Sequence, residues 1–294
     1  MAPRLTIVVA CTDRKTLVPS RELQARSLGR GPVAKRLERW VDRVQTSPTR
    51  TDLGSLYKGE AWQSSLKLAA VAKVKGFSVE TLVVSAGLGL GRLSDQGPGY
   101  SATFTPGQAD SVGATLEDSV AWWTGLNDRL STRRVPEIRG VALLVLSDVY
   151  ARVADKDLTA LGARNSEVFL FGGWRDVPGL NRIPADATLR TALGGTLSSL
   201  NQKMAGQWLQ LVGTPATLGN ARHWRRWRNW IESSRVPEVY SRRPLTDKQV
   251  EAWVQRTRNR DPGLSKTRAL RILRDEGFAC EQKRFAAIFN RLED

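Results

Sequence analysis

At 294 residues, 41% hydrophobic and 25% charged, the chain can bury a core as one large domain or as two, and no run approaches the roughly 18 apolar residues of a membrane helix. Lys and Arg number 45 against 29 Asp and Glu, a formal charge of +16; this points to a polyanion such as DNA, or to a proteome-wide bias toward Arg. The single histidine, His223, excludes His-based metal clusters and leaves acid–base chemistry to Asp, Glu, Lys or Tyr.

The N-terminus leads straight into an apolar run, so no secretory signal is expected. With only Cys11 and Cys280, far apart, the chain reads as a cytoplasmic protein with reduced thiols. Four short apolar runs read as strands buried on both faces: residues 5–10, 81–84, 141–146 and 168–171. Each ends on small or polar residues, respectively Cys11-Thr12-Asp13, Ser85-Ala86-Gly87, Ser147-Asp148 and Gly172-Gly173. Helical spacing fills the intervals 33–44, 56–75, 116–130 and 193–212. Strands alternating with helices predict an α/β fold, a mostly parallel sheet flanked by helices. The Gly-, Ser- and Pro-rich stretch 88–108 reads as a functional or mobile loop.

The texture changes near residue 222, and the reading divides the chain into an α/β catalytic domain, 1–221, and a basic helical DNA-binding region, 222–294. The second region holds 18 Lys and Arg against 10 Asp and Glu, half the net charge in a quarter of the length. Trp224, Trp227 and Trp230 fall on one helical stripe with Arg222, Arg225, Arg226 and Arg228 in the gaps. Either the arginines hold phosphates while the indoles meet bases, or the stripe docks the helix on its own protein. Residues 246–292 read as a small three-helix unit resembling a helix-turn-helix, with Thr246, Ser265 and Gly277 as helix boundaries. Residues 265–292 also resemble a C-terminal helical DNA-binding segment common in actinobacterial plasmid and phage-related proteins. Lys266, Arg268, Lys283 and Arg284 are its candidate DNA contacts.

In an open parallel sheet, ligands bind beyond the carboxyl ends of the strands. That places Asp13, Lys15, Ser85, Gly87, Ser147, Asp148, Gly172 and Gly173 along one crevice. Asp13 and Asp148 are the candidates to activate a water or stabilise a cationic sugar, and Lys15 to contact substrate or form a Schiff base. The small residues at 85–89, and Gly172-Gly173, would let backbone amides approach a phosphate or base edge, although no P-loop or dinucleotide fingerprint is present. Tyr57 and Tyr100 either stack on an extruded base or pack in the core with tethered hydroxyls. No metal and no cofactor is expected.

Cys11-Thr12-Asp13-Arg14-Lys15, then Leu56-Tyr57-Lys58-Gly59 with Trp62, then Ser85-Ala86-Gly87-Leu88-Gly89-Leu90, then Tyr100 before Thr103-Phe104, stand in an order that resembles the domain related to the peroxide-stress protein YaaA. The resemblance covers roughly residues 5–110, and the chain departs from it at Gly87, where the family often has Lys. Such domains occur in bacterial defence and DNA-modification neighbourhoods. Joined to a basic C-terminal DNA reader, the combination is similar to phage-defence DNA glycosylases that excise glucosylated hydroxymethylcytosine. The resemblance thus implies a glycosylase acting on modified double-stranded phage DNA. The alternative is a sequence-specific DNA-binding regulator, or a plasmid- or phage-related factor, whose α/β domain senses a nucleotide.

Overall fold

The computed structural model describes residues 2–131, 133–164, 167–236 and 242–292. Its six-stranded sheet grows from β1 (Arg4–Ala10), in which Leu5, Ile7, Val8 and Val9 are fully buried. Even Thr6 is buried, because both faces of the strand are covered by helices. The other strands are β2 (Ser78–Ser85), β3 (Gly89–Arg92), β4 (Val141–Leu146), β5 (Val168–Gly172) and β6 (Leu180–Ile183). Their order is β3-β2-β1-β4-β5-β6, parallel throughout except for the β2–β3 hairpin. Val9 pairs with both Val83 and Val145, and Leu146 with Gly172, so the carboxyl ends of the central strands lie level.

The helices of six or more residues in this unit are α1 (Val33–Thr46), α2 (Glu60–Val74), α3 (Leu116–Leu130), α4 (Asp148–Val153), α5 (Asp155–Gly162), α6 (Leu200–Gln210) and α7 (Ala221–Ser234). One layer packs α2 against α6, the other α1 against α3. Thr115 starts α3 with a capping box to Asp118. The mostly parallel α/β sheet expected from the strand–helix alternation is therefore present. No helix among the described residues is long and apolar enough to cross a membrane.

Three expectations need correction. Residues 88–108 are not a free loop. Gly89–Arg92 pair with β2, Gln96–Gly97 pair with Thr51–Asp52, and Tyr100, Ala102 and Phe104 are buried. The Gly and Ser content there reflects tight turns rather than mobility. The helix expected over 56–75 breaks at Tyr57-Lys58-Gly59 before α2 begins. The division of the chain falls after Val236 rather than after residue 221. The reason is α7, whose apolar stripe belongs to the first core: Trp227 is 3% exposed and stacks on Trp230 at 5.2 Å, and Trp224 meets Trp208 at 5.8 Å. His223 fastens the same helix. Its Nδ1 accepts from the Gly219 N–H at 3.0 Å, so Nε2 carries the proton toward the Trp208 carbonyl at 2.8 Å. Burial lowers its pKa, and the lone histidine is a neutral structural pin.

The second unit holds α8 (Asp247–Arg260), α9 (Lys266–Asp275) and α10 (Gln282–Arg291), with Arg243–Pro244 paired to Phe278–Ala279. It has its own core of Val250, Trp253, Val254, Leu273, Phe285 and Phe289. Thr246 caps α8 through a box with Gln249, as its sequence predicts. Ser265 occupies the N-cap of α9 but its hydroxyl makes no cap bond.

Candidate functional site

The strand order reverses between β1 and β4, since the chain builds leftward from β1 through β2 and β3 and then resumes on its other side. Such a switch point opens a crevice at the carboxyl ends of the two strands. A cavity of about 380 Å³ lies there, lined by the last residue of β1, Ala10, and the segment after it (Cys11 to Arg14), Lys58 to Ala61, Val145, Ser147, Tyr150, and Ser198, Asn201 and Gln202. Two backbone segments form one wall. The Lys58 N–H donates to the Arg14 carbonyl at 3.0 Å, and Thr12 Oγ1 donates to the Lys58 carbonyl at 3.1 Å.

Asp13 and Ser147 belong to this cavity. Asp13 is exposed, with no side-chain partner among the described residues. Glu60, the other carboxylate of the lining, is engaged: Oε1 takes Lys203 at 2.8 Å and the Ser199 hydroxyl at 3.0 Å. Chiefly through the bond to Lys203, its pKa falls to about 2. Asp148 does not join Asp13. It sits in the first turn of α4, outside the cavity lining, and pairs with Arg152 at 3.1 Å, one helical turn away.

Lys15 lies beneath the cavity rather than in it. It is 8% exposed, donates to the carbonyls of Thr12 at 3.1 Å and Asp13 at 3.0 Å, and sits 4.0 Å from the centroid of the Tyr100 ring. Burial lowers its pKa. Its geometry fixes the turn that presents Asp13, which makes it a positioning group rather than a nucleophile facing substrate. Tyr57 and Tyr100 are also buried, so stacking on an extruded base is excluded in this arrangement. Their hydroxyls lie 3.0 Å apart, and the Tyr100 hydroxyl lies 2.7 Å from Ser85 Oγ. Burial raises both phenols well above their ordinary range, so they stay neutral.

The glycines predicted to cradle a phosphate do not offer free amides. Ser85 Oγ accepts the N–H groups of Gly87 at 3.2 Å and Leu88 at 2.9 Å. Trp122 and Trp40 donate their indole N–H groups to the carbonyls of Ala86 and Gly87 at 2.8 and 2.7 Å. The Gly173 N–H bonds the Leu146 carbonyl at 3.0 Å, while Arg182 donates to the carbonyls of Gly172 and Gly173 at 2.8 and 3.1 Å. These strand ends are small because their surroundings are crowded. A Cβ at position 87 would lie 2.4 Å from the Tyr100 ring, and one at 172 would lie 2.4 Å from Asn201 Nδ2.

The sequence reading missed Arg14, Lys58, Tyr150, Asn201 and Gln202 as lining residues. Arg14 and Lys58 form no ion pair among the described residues. Tyr150, raised well above its ordinary pKa chiefly by burial, has its hydroxyl 3.3 Å from Cys11 Sγ. One signal was available: Gln202 falls on the same helical stripe as buried Ala205 and Leu209, a polar residue where the pattern calls for an apolar one. No group of three or more His, Cys, Asp or Glu side chains among the described residues is placed to hold a metal ion.

Of the basic residues assigned to DNA, Arg222, Arg225, Arg226 and Arg228 all lie exposed on α7, and Arg226 also donates to the Leu211 carbonyl at 3.2 Å. Lys266, Arg268 and Lys283 are exposed on the second unit. Arg284 is not available for DNA: it pairs with Asp247 at 2.6 Å and donates to the Leu245 carbonyl at 2.8 Å, bracing α10 to the start of α8. No protein-family model, curated protein or solved structure matches the chain.

Proposed function

We propose that the protein is a DNA glycosylase that hydrolyses the N-glycosidic bond of a modified base, and that it works in the cytoplasm, where its free thiols Cys11 and Cys280 suit a reducing medium. One observation carries the reading: Asp13 is an unpartnered carboxylate in a switch-point cavity whose other carboxylate, Glu60, is held by Lys203. A glycosidic bond is inaccessible in the base stack, so the target nucleotide is extruded into the cavity. As the C1′–N bond breaks, its electron pair leaves with the base and the sugar becomes oxocarbenium-like. The Asp13 carboxylate stabilises that cation and takes a proton from the attacking water, and the departing base takes up a proton from solvent. Arg14 and Lys58 hold the flanking phosphate. The exposed arginines of α7 and the basic second unit, with 13 Lys and Arg against 6 Asp and Glu in residues 242–292, hold the duplex. The resemblance stated above suggests glucosylated hydroxymethylcytosine of phage DNA as the base, and antiviral defence as the role.

Glucosylated and unmodified duplexes are incubated with the protein and then treated with alkali. Breaks confined to modified DNA support the reading. The Asp13→Asn variant should lose at least 100-fold in base release while still binding DNA, and Asp148→Asn should stay within about threefold. The second reading, a DNA-binding regulator with a nucleotide-sensing domain, draws on the self-contained three-helix unit. Tight, sequence-selective binding without base release would favour it and sink the first.

A further inference from the structure

Tryptophan is ordinarily well buried, and of the ten tryptophans, all among the described residues, only Trp174 is exposed, at 37%. It stands just beyond the carboxyl end of β5, two residues after Gly172, which pairs with Leu146 at the end of β4. That is the edge of the sheet on which the cavity opens, and contacts join the ring to the cavity rim. Ser147 of the lining leads into α4, where Asp148 pairs with Arg152 at 3.1 Å, and the Arg152 guanidinium lies 4.5 Å from the centre of the Trp174 ring. On the strand side, the backbone at Gly172 abuts Asn201, another lining residue. The ring is held in place. Its Nε1 donates to Asp155 Oδ1 at 3.1 Å, and Arg175, 5.5 Å from the ring centre, is locked on the same carboxylate by bonds of 2.9 and 2.8 Å. An exposed indole already fixed in orientation loses little entropy when a partner stacks on it. Both flanking cations are matched by carboxylates, Arg152 by Asp148 and Arg175 by Asp155, so the spot suits a flat uncharged surface rather than a phosphate.

We propose that Trp174 is a nucleobase-stacking residue at the cavity rim, taking the base that neighbours the extruded nucleotide. The inference rests on the glycosylase reading for DNA as the partner. Extrusion leaves the neighbouring base with one face unstacked, and an indole that covers this face offsets part of the cost. The contact tolerates any sequence, because every base has a π face. It also releases no counterions, so its contribution does not vary with salt, unlike that of an arginine on a phosphate.

The test uses the full chain and a labelled duplex of unmodified bases in which 2-aminopurine sits beside an abasic-site analogue. Anisotropy over a salt series reads affinity, and 2-aminopurine emission reads stacking. The wild type should quench the emission. Trp174→Ala should abolish the quenching and weaken binding about tenfold at every salt concentration, leaving the slope of log affinity against log salt unchanged. Trp174→Phe should restore both to within about threefold, whereas Trp174→Leu, apolar but not aromatic, should behave as the alanine variant. A merely structural Trp174 would instead give a binding loss that tracks a lower melting temperature and is repaired by leucine, which overturns the proposal. If Trp174→Ala does not fold, the leucine and phenylalanine variants are compared by the same criteria. Equal affinity of wild type and Trp174→Ala, a changed salt slope, or an effect confined to glucosylated DNA, which would assign the ring to the sugar, also overturns it. Base release from glucosylated duplex is scored in parallel. Stacking that depends on Trp174 without base release by the wild type upholds the contact and refutes the chemistry, whereas base release untouched by Trp174→Ala does the reverse. No binding of either duplex overturns both.

Discussion

Replacing Gly87 by alanine is expected to unseat the polar chain beneath the cavity. The new Cβ would lie 2.4, 2.5 and 2.9 Å from three atoms of the Tyr100 ring. Carbon atoms in contact sit about 3.5–4.0 Å apart, so the ring must retreat by about 1 Å. It has nowhere to go, because Tyr100 is fully buried, tethered at its hydroxyl to Ser85 at 2.7 Å and Tyr57 at 3.0 Å, and capped by Lys15. Overpacking a rigid core costs about 1–3 kcal/mol, and loosening two hydrogen bonds adds about 0.5–1.5 kcal/mol each. The total is about 4 kcal/mol, or a fall of about 8–16 °C in melting temperature for a unit of this size. Thermal unfolding followed by near-ultraviolet circular dichroism reads it. The control is the same change in a Tyr100→Leu background, where the obstructing ring is gone and Gly87→Ala should add less than about 1 kcal/mol. Equal cost in both backgrounds would refute the steric argument.

Two further predictions concern other parts of the molecule. Glu60 has a folded pKa of about 2, below that of an ordinary carboxylate, so its contribution is present above about pH 4.5 and lost as pH falls toward 2. Because the group is largely solvent-exposed and screened, the contribution is about 1 kcal/mol, and Glu60→Gln should flatten the acid limb of the stability–pH curve by that amount. Truncation after Val236 should leave the α/β unit folded, whereas truncation after residue 221 removes Trp224, Trp227 and Trp230 from its core and should unfold or aggregate it at 37 °C, read by circular dichroism and gel filtration.

Much of the fold was legible. The runs 5–10, 81–84, 141–146 and 168–171 fall within β1, β2, β4 and β5, because strands buried on both faces must be apolar at every position. The helix over 116–130 is α3 to the residue, set by the capping pair Thr115 and Asp118. The stretch 88–108 was misread because a tight hairpin that pairs Ser85 with Gly89, and a partner distant in sequence, Thr51 with Gly97, gave turn-rich residues a ladder that local composition does not encode.

The sequence by itself determined that polar strand ends gather on one edge of a parallel sheet, with Asp13 among them, and that the chain has a single histidine, far from them in sequence. Which of those residues face the cavity was decided by packing. Asp148 and Lys15 look equivalent to Asp13 in the chain, yet a helical neighbour claims the first and the Tyr100 ring buries the second. The amides at 201 and 202 came to the cavity only because α6 packs beside α2 across the ends of β1 and β4. The lining of a cavity is a property of three-dimensional surroundings, and no periodicity in a sequence records it.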